Sequence, residues 1–447
     1  MKTILEDGRI KLECSDWRYG VAILGLIRYF DDNFLDYEIK DDSIIYDKSN
    51  INKENFVKYI LTRYKDYHFA YIDLVDSLSK ETYTEDEIKD MNKKLSSPKP
   101  IESLNLHFDG TNQEDLLKIL EENKEKLVLD IFKNRKNNGY IMYCNPSCLF
   151  EPDSNICRVN GFYVDTNLKK NLLSWNTDNS TFESEDIQEF DFIPFGFSMD
   201  KVSIFVNNNF SINSLIEGNN HFKKQSGILS LYKYISELGE KNIYNNIEVI
   251  IKEQGKTYYQ NLYIEKSLID KLKLIREINN ISNLEKIKIE IRKDVFIDFN
   301  YILTLIFNRQ HLDNIIMMIL KNRKLYEQYR YYLQFLIQIN MILNGKELNK
   351  MKLEYKGAYA CAKAIVDKLD DNKLNVYRQK LISSIVVNNK ENVYNILLQL
   401  SNYSHVNINF MFDILDDYNG NKDKLYVFVS SLVADKKNEK EEVEKND

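Results

Sequence analysis

Residues 17–30, WRYGVAILGLIRYF, form an apolar run of good helix formers in which Val21, Leu24 and Ile27 recur at helical spacing. The rest of the chain has to cover such a run, so a buried helix near the start is the first constraint on the fold. Ser15 and Asp16 stand before it as N-cap candidates. Residues 54–68, 85–95 and 113–127 also carry a helix-like period, with Thr84 and Asn112 as starts and SSPKP (96–100) as a proline-marked joint.

From about residue 140 the pattern changes to short strand-like segments: GYIMYC, KVSIFV, IEVIIK and YYQNLYI. Residues 247–264 read as a hairpin closed at Gln254-Gly255. In 286–292, Ile287, Ile289 and Ile291 alternate with Lys286, Lys288, Glu290 and Arg292, as a half-buried antiparallel strand requires. Beyond about 300 the strand signals stop. Helical segments follow at 301–320, 322–343, 355–369, 373–388, 390–402, 406–416 and 422–435, joined by short polar links as in a bundle. The reading is an α+β protein. Residues 1–300 form a mixed domain with a Cys-bearing insertion at 140–160, residues 301–435 a helical domain, and 436–447 a disordered tail.

A chain of 447 residues, 43% hydrophobic and 29% charged, has material for two or three domains of about 150 residues each. Five unevenly placed cysteines make no disulfide framework, and no run approaches the ~20 apolar residues of a membrane span. A soluble cytoplasmic protein is therefore expected. Its net charge of −7 conceals a strong asymmetry. Over 321–380, thirteen basic residues oppose six acidic ones, a local +7 that leaves −14 for the remainder.

Catalytic signatures are mostly missing. Gly255-Lys256-Thr257 resembles the end of a phosphate-binding loop, but position 250, where the motif needs glycine, is Ile; a hairpin turn is the better reading. Arg63 and His68 match the R-x4-H spacing of HEPN ribonucleases, which is the rival functional reading. A structural interaction protein is a third. Cys144, Cys148 and Cys157 are close enough to seed a zinc site, but a fourth ligand is missing, and neither a metal nor another cofactor is expected.

Basic, aromatic and amide side chains interleave in KNRKNNGY (133–140) and KNRKLYEQYRYY (321–332), which suits nucleic acid: cations neutralise phosphates, Tyr stacks on bases, Asn reads base edges. Lys133, Arg135, Lys136, Asn137 and Asn138 are the candidate readers of a DNA sequence, with Asn207, Asn208 and Asn209 as a second loop. Lys321, Arg323, Lys324, Arg330, Lys350 and Lys352 are candidates for backbone contacts.

SDWRYGVAILGLIRYF (15–30) resembles the opening of the large subunit of type I-B CRISPR Cascade complexes, in which a Trp-Tyr pair introduces an apolar, Gly-containing helix. The Cys-bearing insertion lies where many members carry zinc-ribbon cysteines. IPFGFSMDKVSIFVNNNFSINSLIEGN (193–219) resembles the segment after their second cysteine pair, which is missing here around Asp191-Phe192-Ile193. The resemblance implies a non-catalytic subunit at the crRNA 5′ end that checks the protospacer-adjacent motif, helps unwind and hold double-stranded target DNA, and helps recruit a helicase-nuclease. Its implied partners are crRNA, the repeated backbone subunit, the 5′-handle-binding subunit and a small subunit. Residues 351–435 are small-subunit-like. Because Lys346-Glu347 can be written AAG-GAG, Met351 is a candidate internal start that would release a 97-residue fragment ending at Asp447.

Overall fold

A computed structural model describes residues 1–67, 69–151, 158–161, 186–207, 211–221, 227–242, 246–256 and 258–433. The tail at 436–447 and His68, Cys157, Asn208 and Asn209 lie outside the described residues. Two compact units are formed: Met1–Ser230 with Glu240–Ile264, and Leu231–Gly239 with Glu265–Asp447. The architecture is α+β, and every strand pair is antiparallel.

The first unit opens on a four-stranded sheet of order β1-β2-β4-β3, built from β1 (Lys2–Ile4), β2 (Ile10–Glu13), β3 (Tyr37–Lys40) and β4 (Ser43–Tyr46). Leu12 opposes Ile44 and Ile10 opposes Tyr46, and all four side chains are buried. Helix α1 (Trp17–Asn33) runs between β2 and β3, and every residue from Trp17 to Phe30 is buried. Of the two cap candidates Asp16 does the capping, accepting from the Arg18 N–H, while Ser15 Oγ accepts from the N-terminal ammonium.

Helix α2 (Lys53–Arg63) packs on α1, and α3 (Ala70–Leu78), α4 (Glu85–Leu95), α5 (Lys99–Glu102), α6 (Gln113–Glu122) and α7 (Lys124–Asn134) follow, with α7 packed on α2, α3 and α5. Thr84 and Glu87 close a reciprocal capping box on α4. The single helix expected over 113–127 is two, because the Asn123 side chain takes the Ile119 carbonyl (2.9 Å) and ends α6. GYIMYC is not a strand but one helical turn, α8 (Tyr140–Tyr143). Tyr140 and Tyr143 bury their hydroxyls on Asp191 (2.5 Å) and Ser203 (2.8 Å), and an i,i+3 spacing places both on one face only in a helix.

Then come α9 (Ile193–Gly196), α10 (Ile212–Asn220) and a three-stranded sheet of order β5-β6-β7, from β5 (Val202–Asn207), β6 (Ile247–Glu253) and β7 (Gln260–Ile264); of α11 (Ile228–Asn242), which precedes β6 in the chain, Leu231–Gly239 belongs to the second unit. A Cβ at Gly25 would fall on the Phe192 carbonyl and one at Gly196 on the Val21 carbonyl. Only glycine lets the α1 and α9 backbones meet this closely.

The second unit holds α12 (Lys266–Arg276), the hairpin β8 (Lys288–Arg292) and β9 (Val295–Asp298), and then helices only: α13 (Phe299–Phe307), α14 (Asp313–Lys321), α15 (Arg323–Leu343), α16 (Leu348–Val366), α17 (Asp371–Val386), α18 (Lys390–Ser404), α19 (Phe410–Asp416) and α20 (Tyr418–Ser431). The change of pattern at 300 and the limit of the first unit at Ile264 are therefore separate features. Residues 301–320 break into two helices where Asn340, fully buried, accepts from the Leu312 N–H (2.7 Å). No helix among the described residues is long and apolar enough to cross a membrane.

Candidate nucleic-acid interface

The segment KNRKNN leaves α7 as a tight loop. Asn138 takes a left-handed conformation (φ 54°), tolerable for Asn, and a Cβ at Gly139 would collide with the Arg135 carbonyl. Arg135 lies over the rings of Tyr64 (4.9 Å) and Phe69 (5.8 Å) and donates from Nε to the Asn137 carbonyl (2.8 Å). It shapes the loop. Lys133 is half-buried beside Asp130 (3.5 Å), whereas Lys136 and Asn137 are exposed.

A second loop completes this surface. Gln254, in the β6–β7 turn, donates to Asn137 Oδ1, and the Gln254 N–H bonds the Lys201 carbonyl (2.8 Å). The turn Gln254-Gly255-Lys256 and exposed Lys201 thus join Lys136 and Asn137 in one basic, amide-bearing patch. Sequence reasoning identified the turn but gave it no role, because its contact with residue 137 spans more than a hundred positions.

Asn207 lies elsewhere. It ends β5, six residues from Lys201 and so ~20 Å away along the strand. It is 5% exposed and donates to Glu248 (2.9 Å). Arg63 donates to the Phe195 carbonyl (3.2 Å), a carbonyl it shares with buried Arg28 (2.5 Å).

Beneath the loop, the Cys-bearing insertion closes on an ion pair. Arg158 and Asp191, both fully buried, meet at 2.5 Å, and Arg158 also donates to the carbonyls of Cys148 and Glu151. Asp191 accepts further from Tyr140 and from the Phe150 N–H (2.9 Å). Burial lifts its carboxyl to about 6, against the pull of Arg158. Burial also pushes the Cys144 thiol well above its ordinary range, and its Sγ donates to the Phe190 carbonyl (3.7 Å). Among the described residues no group of three or more His, Cys, Asp or Glu side chains is arranged to hold a metal ion.

In the second unit Lys321, Arg323 and Arg330 line a groove of about 1200 Å³ with an aliphatic floor of Leu374 and Ile382. Lys324 is exposed beside it, while Lys350 and Lys352 sit on the first two turns of α16 and do not line it. Arg378 of α17, which the sequence offered only as one of thirteen basic residues, lies in its wall. The Arg378 guanidinium covers the Tyr326 ring (4.4 Å), Nε donates to the Val429 carbonyl (3.2 Å), and Nη2 is buried without a partner. Burial lowers its pKa, and among the described residues no carboxylate bonds it.

A family model described as CRISPR-associated protein Csx8 matches residues 9–233 and 216–432. The chain belongs to this family. The matched span covers both compact units except Met1–Gly8 and Val433–Asp447, so the residues named for the loop patch and the groove fall within it. No curated protein and no solved structure matched the chain.

Proposed function

We propose that this Csx8 protein is the non-catalytic, cytoplasmic large subunit of a type I-B Cascade complex. It recognises the protospacer-adjacent motif, helps unwind and hold double-stranded target DNA, and helps recruit the helicase-nuclease. Membership of a CRISPR-associated family is the observation that carries the reading. The guide reads the target by base pairing and protein side chains read the short adjacent motif, a division of labour known from another RNA-guided system.

The loop patch of the first unit suits that reader. Lys136, Lys201 and Lys256 supply cations for phosphates; Asn137 and Gln254 supply amides for base edges. Lys321, Arg323, Arg330 and Arg378 serve as a backbone track, extended by Lys324, Lys350 and Lys352. Met351 would start a separate small subunit carrying α16 to α20. In that fragment α16 still packs on α20, α17 on α18 and α18 on α19, but the contacts of α15 with α16 and α20 are lost.

Co-expression with the other subunits and a crRNA tests the assignment. The chain should co-purify with the guide, and the complex should capture duplex carrying the adjacent motif in preference to duplex without it. A chain that neither joins the complex nor alters its choice of duplex would overturn the reading.

A further inference from the structure

Between α15 and the first turns of α16 lies a second cleft, of about 380 Å³, whose remaining wall is the Asn279–Asn280 turn after α12. Its size is that of a small-molecule site, for which ~300–1,000 Å³ is usual, and not of a surface that tracks a duplex. Tyr331, Phe335 and Tyr355 give it aromatic walls. Phe335 is buried and meets Tyr331 edge-on (5.3 Å, 85°), while Tyr331 itself is 48% exposed and has its hydroxyl fixed by Asn283 (2.8 Å). An aromatic ring is therefore held in place with surface to spare.

The polar lining has an unusual composition. Gln334 and Gln338 stand one turn apart on α15 and so on one face. Lys352 and Lys356 face them from α16, and among the described residues no carboxylate lines the cleft. Neither glutamine side chain nor either ammonium group makes a hydrogen bond or ion pair with another described residue. Two carboxamides present both donors and acceptors, which a metal ion or a simple anion would leave half unused. The edge of a nucleobase matches them, above all adenine, which a Gln amide can engage at N6 and N7 together. Rings of Tyr stack on base faces, and Lys neutralises the adjoining phosphate.

We propose that this cleft takes one unstacked nucleobase of an RNA or DNA strand, with Gln334 and Gln338 on its edge, Tyr331 and Tyr355 on its faces, and Lys352 and Lys356 on its phosphate. The proposal rests on the nucleic-acid reading above but not on the loop patch of the first unit. A base inside a duplex could not enter, so the ligand is a single strand or an extruded nucleotide. Because α15 supplies Tyr331, Gln334, Phe335 and Gln338, the site belongs to the full chain and not to a fragment beginning at Met351.

Fluorescence anisotropy of the full-length protein tests it, with labelled five-nucleotide DNA and RNA strands carrying either adenine or an abasic residue at the centre. The abasic strands should bind about tenfold or more weakly, as expected when a stacked base is lost. Gln334→Ala with Gln338→Ala should remove that difference. Lys352→Ala with Lys356→Ala should weaken both strands and flatten their salt dependence. Equal binding of adenine and abasic strands by the wild-type protein would overturn the proposal whether or not the variants fold, and displacement of both equally by hexaglutamate would assign the cleft to an acidic peptide instead. Base discrimination here without duplex capture by the complex would sink the Cascade assignment alone; the reverse would sink this cleft alone.

Discussion

Both units bury charge, but their candidate surfaces rest on different supports. In the first, charge is taken inside: Arg158 pairs with Asp191, Arg28 is clamped on backbone carbonyls, and Lys252 is buried on β6 with its ammonium 4.4 Å above the Tyr259 ring. In the second the candidate cations stand on the helices, and the buried charge centres on Asp423, held by Asn344 (2.7 Å), and on Lys424, paired with Asp413 (2.7 Å). The loop patch of the first unit thus depends on an ionic interior that ties segments far apart in sequence. The cleft of the second depends on helical spacing. Disturbing buried charge should therefore move the first surface much more than the second.

The largest effect is expected at Asp191. Replacing it with Ala leaves buried Arg158 with Asp186 (3.4 Å) as its remaining carboxylate, which costs about 3 kcal/mol, the low end for a broken buried pair. Hydrogen exchange should then show lost protection around 140–151 and 186–196 with α15 and α20 still protected. Uniform loss across both units would break the comparison.

Lys252→Met should act the other way. Burial lowers this lysine to about 8 from an ordinary 10.5, so between those values the unfolded chain binds more protons than the native one and stability rises with pH. At pH 7 the full cost is present, and Met should restore about 1–3 kcal/mol in chemical denaturation while removing the rise between pH 8 and 10. A variant no more stable than wild type at pH 7 would show that the tyrosine ring already compensates the charge.

Asp423→Asn gives the matching test in the second unit. Burial, with Asp313 nearby, raises this carboxyl to about 7 from 3.8, against Asn344 and Lys346. The native state then holds a proton the unfolded chain has released, so stability falls as pH climbs from about 4 to 7 and stays reduced above. Asn should flatten that slope and add about 1–2 kcal/mol at pH 8. The smallest effect belongs to Lys136→Ala with Asn137→Ala, which should weaken duplex capture by about three- to tenfold and leave the unfolding midpoint unchanged. Unchanged capture would move the reader away from this loop.

Much of the fold was legible because it follows from spacing inside one element. Asp16 before an apolar run and Thr84 at a helix start are local signals that the structure uses, whereas the alternation at 286–292 holds for Ile287 and Ile289 but a bulge between Glu290 and Arg292 leaves Ile291 exposed. GYIMYC failed as a strand because its conformation answers to Asp191 and Ser203, 51 and 60 residues on. Asn207 looked like a loop reader but ends a buried strand on Glu248, a pairing that only the β5–β6 register creates.

The sequence by itself determined that the N-terminal helix is buried, that strands give way to helices near 300, that basic side chains crowd 321–380, and that KNRKNN is a basic, amide-rich segment. Each depends on residues within a few turns of one another, whose relation the backbone repeat sets in advance. Only the tertiary structure decided that Gln254 and Lys201 join that segment, that Arg378 enters the basic groove, and that Gln334 faces Lys352 across a cleft. The reason is physical: these meetings are selected by which surfaces exclude water together and which buried charges find partners, and that choice depends on the whole chain at once.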